Sequence, residues 1–291
     1  MSKNAFGNSR KFPVIPGITF YTQEYTSNAG VCSVPGSHTV LEINWCRKGR
    51  MECRMKDGCI LYMGEGDLFL SMTDNHADIL EFPLGYYEGV ALAIDPAAAD
   101  SSLPESYKKA GISISSTAQK FFQGDDCFLL KAGEYTAAFF EVIYSAPESQ
   151  LPLYITLKTL ELILFLSNLD TSMQSPMKVY HKSQVDVIKD VRQLLVSDLS
   201  KRYTIEQLSA EFCISQTALK NTFRDVYGVP VAAYIKAERM KSAADLLLST
   251  DLSVQEISEK VGYENQSKFS AAFRENFGTT PALFRKEHAN I

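Results

Sequence analysis

The sequence predicts an α+β protein in two parts: a strand-rich N-terminal region with a few helices, then an all-helical C-terminal region. Three observations predict it. Short apolar runs broken by glycine-rich turns fill residues 12–100. From residue 183 the pattern is helical almost to the end. Within that helical part, two stretches repeat each other at an offset of 49 to 50 residues. A chain of 291 residues suits about two domains.

Composition bounds the class. Hydrophobic residues make up 45% and charged residues 22%, which excludes disorder as the main state. The net charge is −5, and it is unevenly spread. Residues 183–291 hold 14 Lys+Arg against 14 Asp+Glu, whereas residues 1–182 hold 15 against 20. Any DNA-facing basic surface must therefore come from clustering on one face, and charge alone supports nucleic-acid binding weakly. The N-terminus lacks an apolar run suited to a secretory signal. The most apolar stretch, 153–169, is interrupted by Lys158 and Glu161 and is not read as a membrane span. The expectation is a cytoplasmic protein without a membrane partner, whose six cysteines are reduced thiols.

The N-terminal strands include Val40-Leu41-Glu42-Ile43, Ile60-Leu61-Tyr62-Met63 and Leu68-Phe69-Leu70. Turn signals separate them at Pro35-Gly36, Arg47-Lys48-Gly49, Lys56-Asp57-Gly58 and Gly64-Glu65-Gly66-Asp67. Such spacing suggests a small antiparallel barrel or sandwich. Short helices are expected within 101–128, then two longer ones over about 131–145 and 153–168. In the second, Leu153, Leu157, Leu160 and Leu164 recur at helical spacing. They form either a dimer seam or a face packed on the strands. Residues 171–182, rich in Ser, Pro, Gln and Met, are expected as a linker between a domain over 1–170 and a domain over 183–291.

The internal repeat aligns 204–228 with 253–278. Ile205, Leu208, Phe212 and Ile214 match Val254, Ile257, Val261 and Tyr263. Leu219, Phe223, Arg224, Tyr227 and Gly228 match Phe269, Phe273, Arg274, Phe277 and Gly278. The one-residue change falls at the turn. Each copy reads as a capped amphipathic helix, a tight turn, and a second helix opened by Ser215 or Asn265 and closed by a glycine. Ser253 with Glu256 forms a capping box. This is the pattern of a helix-turn-helix. Residues 231–248 join the copies as a helix of good formers, roughly 27 Å long, near the ~34 Å between successive major-groove faces.

On these residues the C-terminal region resembles the DNA-binding domain of the AraC/XylS family of transcription regulators. The resemblance is carried by Arg239-Met240-Lys241-Ser242-Ala243, Leu246-Leu247, Gly262-Tyr263, the Phe269 to Phe273-Arg274 spacing, Gly278 to Pro281, and Phe284-Arg285. It implies two helix-turn-helix units, and double-stranded promoter DNA as partner. Residues near the start of a recognition helix face the groove: Gln216, Thr217, Lys220 and Asn221 in the first unit, and Gln266, Ser267, Lys268 and Ala271 in the second. Asn and Gln can pair with adenine and Lys with guanine. Arg224 and Arg274 would reach phosphate. The bland reading of each is a solvated face.

The strand-rich part resembles the cupin-like sensor barrel of many family members, through Gly64-Glu65-Gly66-Asp67-Leu68-Phe69-Leu70. The resemblance implies a small-molecule effector inside it. Tyr21, His38, Trp45, Tyr62, Phe82 and Tyr86 are the candidate lining, against the alternative of ordinary core. Only His38 and His76 occur there and no Cys-x-x-Cys knuckle is present, so no metal and no cofactor are expected. No nucleophile–base constellation stands out, so an enzyme is not expected. The function expected is a ligand-controlled DNA-binding regulator. By analogy it is an activator contacting RNA polymerase, and it works as a homodimer. The alternative is a regulator without a small-molecule ligand, whose barrel serves only dimerisation or protein partners.

Overall fold

The computed structural model describes residues 3–4, 7–31, 40–55, 57–72, 79–122 and 127–288. The Pro35-Gly36 turn, Cys32, His38, Lys56 and His76 lie outside the described residues. The chain divides into two compact units, Met1–Lys182 and Ser183–Ile291.

The first unit opens with β1 (Lys3–Asn4), β2 (Gly7–Ile15), β3 (Ile18–Tyr25), β4 (Ala29–Val31), β5 (Leu41–Gly49) and β6 (Met51–Arg54). It continues with β7 (Cys59–Met63), β8 (Leu68–Met72), β9 (Ile79–Glu81) and β10 (Tyr87–Ile94). Helices α1 (Pro96–Ser102), α2 (Glu105–Lys109) and α3 (Ile114–Phe121) follow, then β11 (Cys127–Leu130), α4 (Glu134–Ser145) and α5 (Leu151–Asn168). A short strand, β12 (Tyr180–His181), ends the unit.

These strands make two antiparallel sheets, ordered β1-β2-β3-β10-β5-β8-β11 and β12-β7-β6-β9-β4. No ladder joins the two among the described residues, so they stack as a sandwich rather than closing by hydrogen bonds into the expected barrel.

β5 shows why. Its alternation of Leu41, Ile43 and Trp45 with Glu42, Asn44 and Cys46 reads as one buried and one wet face. All six are buried. Leu41, Ile43 and Trp45 pack against the helices in a core with Phe128, Phe140, Ile155 and Leu162. Cys46 faces the other way, into a sulfur- and aromatic-rich core with Met51, Cys53, Leu61, Met63, Phe69, Phe82 and Tyr87 between the sheets. The Gly64–Asp67 turn is locked from within: Asp67 accepts from Gly64 N–H at 2.9 Å, Ala132 N–H at 3.0 Å and Lys131 Nζ at 2.8 Å.

α5 has 18 residues and a mean hydropathy of 1.2, which meets the length and composition of a membrane span. Lys158 and Glu161 form an ion pair on it at 2.7 Å, and Ile155, Leu162, Ile163 and Leu166 pack into the core. The segment expected as a linker is instead docked on the first unit. β12 pairs with β7, Ser175 N–H donates to the Leu129 carbonyl at 2.8 Å, and Met177 Sδ lies 3.5 Å from Cys127 Sγ. Apolar Met177 and half-buried Tyr180 give this Ser/Pro-rich stretch something to bury.

The second unit is helical: α6 (Lys182–Ser197), α7 (Ile205–Glu211), α8 (Gln216–Tyr227), α9 (Val231–Ser249), α10 (Val254–Lys260), α11 (Gln266–Phe277) and α12 (Pro281–His288). The connector α9 contributes to two cores. Near its start, Tyr234 meets the rings of Phe223 and Tyr227 at 5.5 and 5.0 Å, and its hydroxyl accepts from Arg192 Nε at 2.7 Å. Towards its end, Met240, Ala243, Ala244 and Leu247 pack with Ile257, Val261, Phe269 and Phe273.

Candidate nucleic-acid interface

Two helix pairs, α7–α8 and α10–α11, are built by the same local chemistry. Thr204 Oγ1 accepts from Gln207 N–H at 3.1 Å while Gln207 Oε1 accepts from Thr204 N–H at 2.8 Å. Ser253 and Glu256 do the same at 3.2 and 2.7 Å. The first copy thus carries a capping box that the sequence reading assigned only to the second; Gln three residues after Thr was its signal. Ser215 Oγ and Asn265 Oδ1 open the second helices by accepting from Ala218 and Lys268 N–H, at 3.2 and 3.0 Å. Gly228 and Gly278 close them at φ 81° and 74°, a left-handed cap that suits glycine.

The turns are equivalent too. Cys213 has φ 51° and Gly262 φ 79°, and the repeat offset of 49 superposes them. Gly262 sits in a close approach. Arg202 Nη2 donates to its carbonyl at 3.0 Å, and Arg239 bonds the Leu199 and Lys201 carbonyls beside it at 3.0 and 2.9 Å. Burial first, and then the neighbouring Arg202 guanidinium, holds Arg239 below its ordinary pKa. Arg285 closes the far end of α9 by donating to the Leu247, Thr250 and Leu252 carbonyls at 3.0, 3.3 and 2.7 Å. Of the three arginines that carry the resemblance, Arg239 and Arg285 therefore brace the helices rather than project from them, whereas Arg274 is exposed.

On α8, Leu219 and Phe223 are fully buried while Gln216, Thr217, Lys220, Asn221 and Arg224 are exposed. At about 100° per residue, those five share one arc of roughly 140°, which begins about 20° beyond the buried Phe223. On α11, Gln266, Ser267, Ala271 and Arg274 are exposed over the same arc, with Phe269 and Phe273 buried behind them. Lys268 is exposed but falls roughly 60° outside that arc; the repeat matches it to Ala218. Ser270, half-buried, holds the place that Lys220 takes in the first copy. The sequence reading missed Ser270, although the offset of 50 points to it.

The effector candidates do not converge. Tyr21 alone faces the open end of the inner sheet surface, in a depression of 730 Å³. Trp45 points to the opposite side of its sheet and stacks on Phe140 at 5.1 Å. Phe82 is core, stacked on Tyr25 and Tyr87 at 4.8 and 4.9 Å. Tyr62 donates to Glu52 Oε2 at 2.8 Å from the outer side of the five-stranded sheet. Tyr86 is 44% exposed. Strand alternation, which decides these directions, sends neighbours to opposite faces. Among the described residues no group of three or more His, Cys, Asp or Glu could hold a metal ion.

The leucine stripe is split. Leu153, Leu157 and Leu164 are 61%, 56% and 43% exposed, and Leu160 is half-buried.

A helix-turn-helix domain family matches residues 208–287. The uncharacterized HTH-type transcriptional regulator YdiP of Escherichia coli K12 is 33% identical over 128 residues, covering 44% of this chain and 42% of its own length. HTH-type transcriptional regulator ExsA of Pseudomonas aeruginosa is 29% identical over 137 residues, covering 46% and 48%. The chain thus matches less than half the length of these curated relatives. Among solved structures, the C-terminal domain of AraT, a response regulator from Geobacillus stearothermophilus, is 31% identical over 35% of this chain and 84% of that one, at a TM-score of 0.34. Residues 208–287 are thus part of a helix-turn-helix domain of the AraC type.

Proposed function

We propose that this chain is a transcription regulator that reads double-stranded DNA through two helix-turn-helix units, α7–α8 and α10–α11. The observation that carries it is the equivalence of α8 and α11: each buries a pair of aromatic or leucine side chains and exposes the same arc of polar ones. Gln216, Thr217, Lys220 and Asn221, with Gln266, Ser267, Ser270 and Ala271, meet base edges in two adjacent major-groove segments. Arg224, Arg274 and Lys268 meet phosphate. α9, packed into a core at each end, sets the spacing rigidly.

The sheet-rich unit is a cupin-like sensor whose small-molecule effector controls DNA binding, and the regulator acts as an activator that contacts RNA polymerase. The relative named transcriptional activator NphR, from Rhodococcus sp, 38% identical over 88 residues, supports that sign. The exposed leucines of α5 form the seam of a homodimer. Their exposure favours that seam over packing on the strands, and Lys158 with Glu161 on the same helix favours a protein partner over a bilayer.

Genome-wide mapping of bound DNA tests the reading. The wild type should mark an asymmetric motif of about two helical turns. Asn221→Ala should weaken one end of it and Gln266→Ala the other. A wild type that enriches no sequence under any growth condition, or two variants that weaken the same end, would sink it.

A further inference from the structure

The loop between α6 and α7, the first half of α9 and the turn before α11 border a cleft of 450 Å³ within the second unit. That volume falls among small-molecule sites, which run from about 300 to 1,000 Å³. Its apolar lining comes from Leu195 on α6, Ile205 at the start of α7, and Val231 and Ile235 on α9. Lys201, Arg202, Lys236 and Arg239 line it too, as do Tyr203 and Tyr263. Ile205 belongs to the first helix pair, Tyr263 to the turn of the second, and α9 joins them. An occupant therefore touches both helix pairs and their connector.

The four cations are not equivalent. Lys236 pairs with Glu275 at 2.7 Å, Lys201 with Asp198 at 3.5 Å, and Arg202 reaches Glu264 at 4.0 Å. Arg239 has no carboxylate partner among the described residues. Two of its N–H groups donate to the Leu199 and Lys201 carbonyls, and the rest of its guanidinium donors have no protein acceptor there. Arg202 meets it across Gly262. Arg202 Nη2 donates to the Gly262 carbonyl at 3.0 Å, and a methyl group on Gly262 would lie 2.8 Å from Arg239 Nη2. Two like charges thus flank one residue beside the cleft. An anion placed between them is held by both, and the planar fork of a guanidinium suits the two oxygens of a carboxylate. The other three cations already have carboxylates near them, so one positive charge is left uncompensated, which matches a monoanion.

We infer that this cleft is a binding site for an amphipathic monocarboxylate, with the carboxylate on Arg202 and Arg239 and the hydrocarbon body on Leu195, Ile205, Val231 and Ile235. A DNA phosphate is a poorer match, because a phosphate contact has no use for an apolar lining. The inference does not depend on an effector in the sheet-rich unit: every residue it uses lies in the second unit.

Amide NMR titration of the full chain with octanoate, octanamide and acetate tests this. Octanoate should move the signals of Ala232, Gly262 and Tyr263 saturably, with a Kd of about 1 mM or tighter. Octanamide keeps the body and loses the charge, and acetate keeps the charge and loses the body. Each should bind at least about tenfold more weakly. Arg202→Gln should weaken octanoate at least about tenfold. So should Ala232→Glu, which puts a second carboxylate into the cleft from an exposed position on α9 and removes no side-chain hydrogen bond. The remaining signals of each variant report whether the fold is kept, and Ala232→Glu decides if Arg202→Gln disturbs the Gly262 turn. Octanoate shifts confined to the first unit, octanamide binding as tightly as octanoate, wild-type affinity in Ala232→Glu, or no shift from octanoate overturns the assignment.

Discussion

Gly262 and Arg239 are locked together: a methyl group on Gly262 would lie 2.8 Å from Arg239 Nη2 and 2.5 Å from the Leu199 carbonyl oxygen. Gly262 also has φ 79°, where a side chain is strained even in open space. Gly262→Ala should therefore cost at least about 2 kcal/mol in denaturant unfolding. A loss near zero would mean that the turn can relax away from Arg239.

Cys213 occupies the equivalent turn of the first pair with φ 51°, a left-handed conformation for a residue with a Cβ. Cys213→Gly should relieve that strain. The gain is reduced by the greater freedom of glycine in the unfolded chain, leaving about 0.5–1 kcal/mol. Measured by the same unfolding assay, a destabilised variant would show that the thiol, whose Sγ lies 3.9 Å from the Ala210 carbonyl, contributes more than the strain costs.

Lys268 lies outside the arc shared by Gln266 and Ser267, so the two kinds of residue should behave differently on DNA. Lys268→Ala should weaken binding evenly across sequences and reduce the salt dependence by about one phosphate contact. Gln266→Ala should relax base preference at one position by about 1–3 kcal/mol. Equilibrium binding to a panel of point-substituted sites at two salt concentrations distinguishes them. A Lys268→Ala variant that changes base preference would place that lysine in the groove.

The outward leucines of α5 predict the oligomeric state. Leu157→Asp should weaken self-association by at least about tenfold, because burying a leucine is worth about 1.5–3 kcal/mol. Sedimentation velocity over a concentration series reads this. A wild type that stays monomeric throughout would remove the seam.

Glu88 sets a pH dependence. Burial alone would raise its pKa, but hydrogen bonds from Arg47 and Lys48 and their charges pull it below the ordinary value near 4.5. A depressed folded pKa means that its contribution is present above the unfolded value and is lost as pH falls through the folded one. Glu88→Gln should cost about 1 kcal/mol at neutral pH, and that difference should vanish in acid. Unfolding of both proteins across pH 7 to 3 checks it; a difference independent of pH would point to packing instead.

Much of the second unit was legible in the sequence because helix ends and helix faces are local. The Ser215 and Asn265 caps, the Gly228 and Gly278 stops and the buried Phe223 and Phe273 follow from residues a turn or two apart. Ser270 stands out only where the two copies are overlaid at the offset of 50, which matches it to Lys220. In the first unit, legibility ended at the strand faces. Trp45 and Cys46 are adjacent in sequence and lie in different cores, one against Phe140 and one beside Met51.

The sequence by itself determined the α+β composition, the repeated helix pairs and the exposed arcs of α8 and α11, because period, caps and glycine stops act within a few residues. Only the tertiary structure decided that Glu42 and Asn44 are buried, that Tyr21 and Trp45 lie on opposite faces of the seven-stranded sheet, and that 171–182 docks on the sheets. Whether a polar strand face meets water or a second sheet depends on chain segments far away in sequence. Those segments exclude the water only once the fold has closed over it.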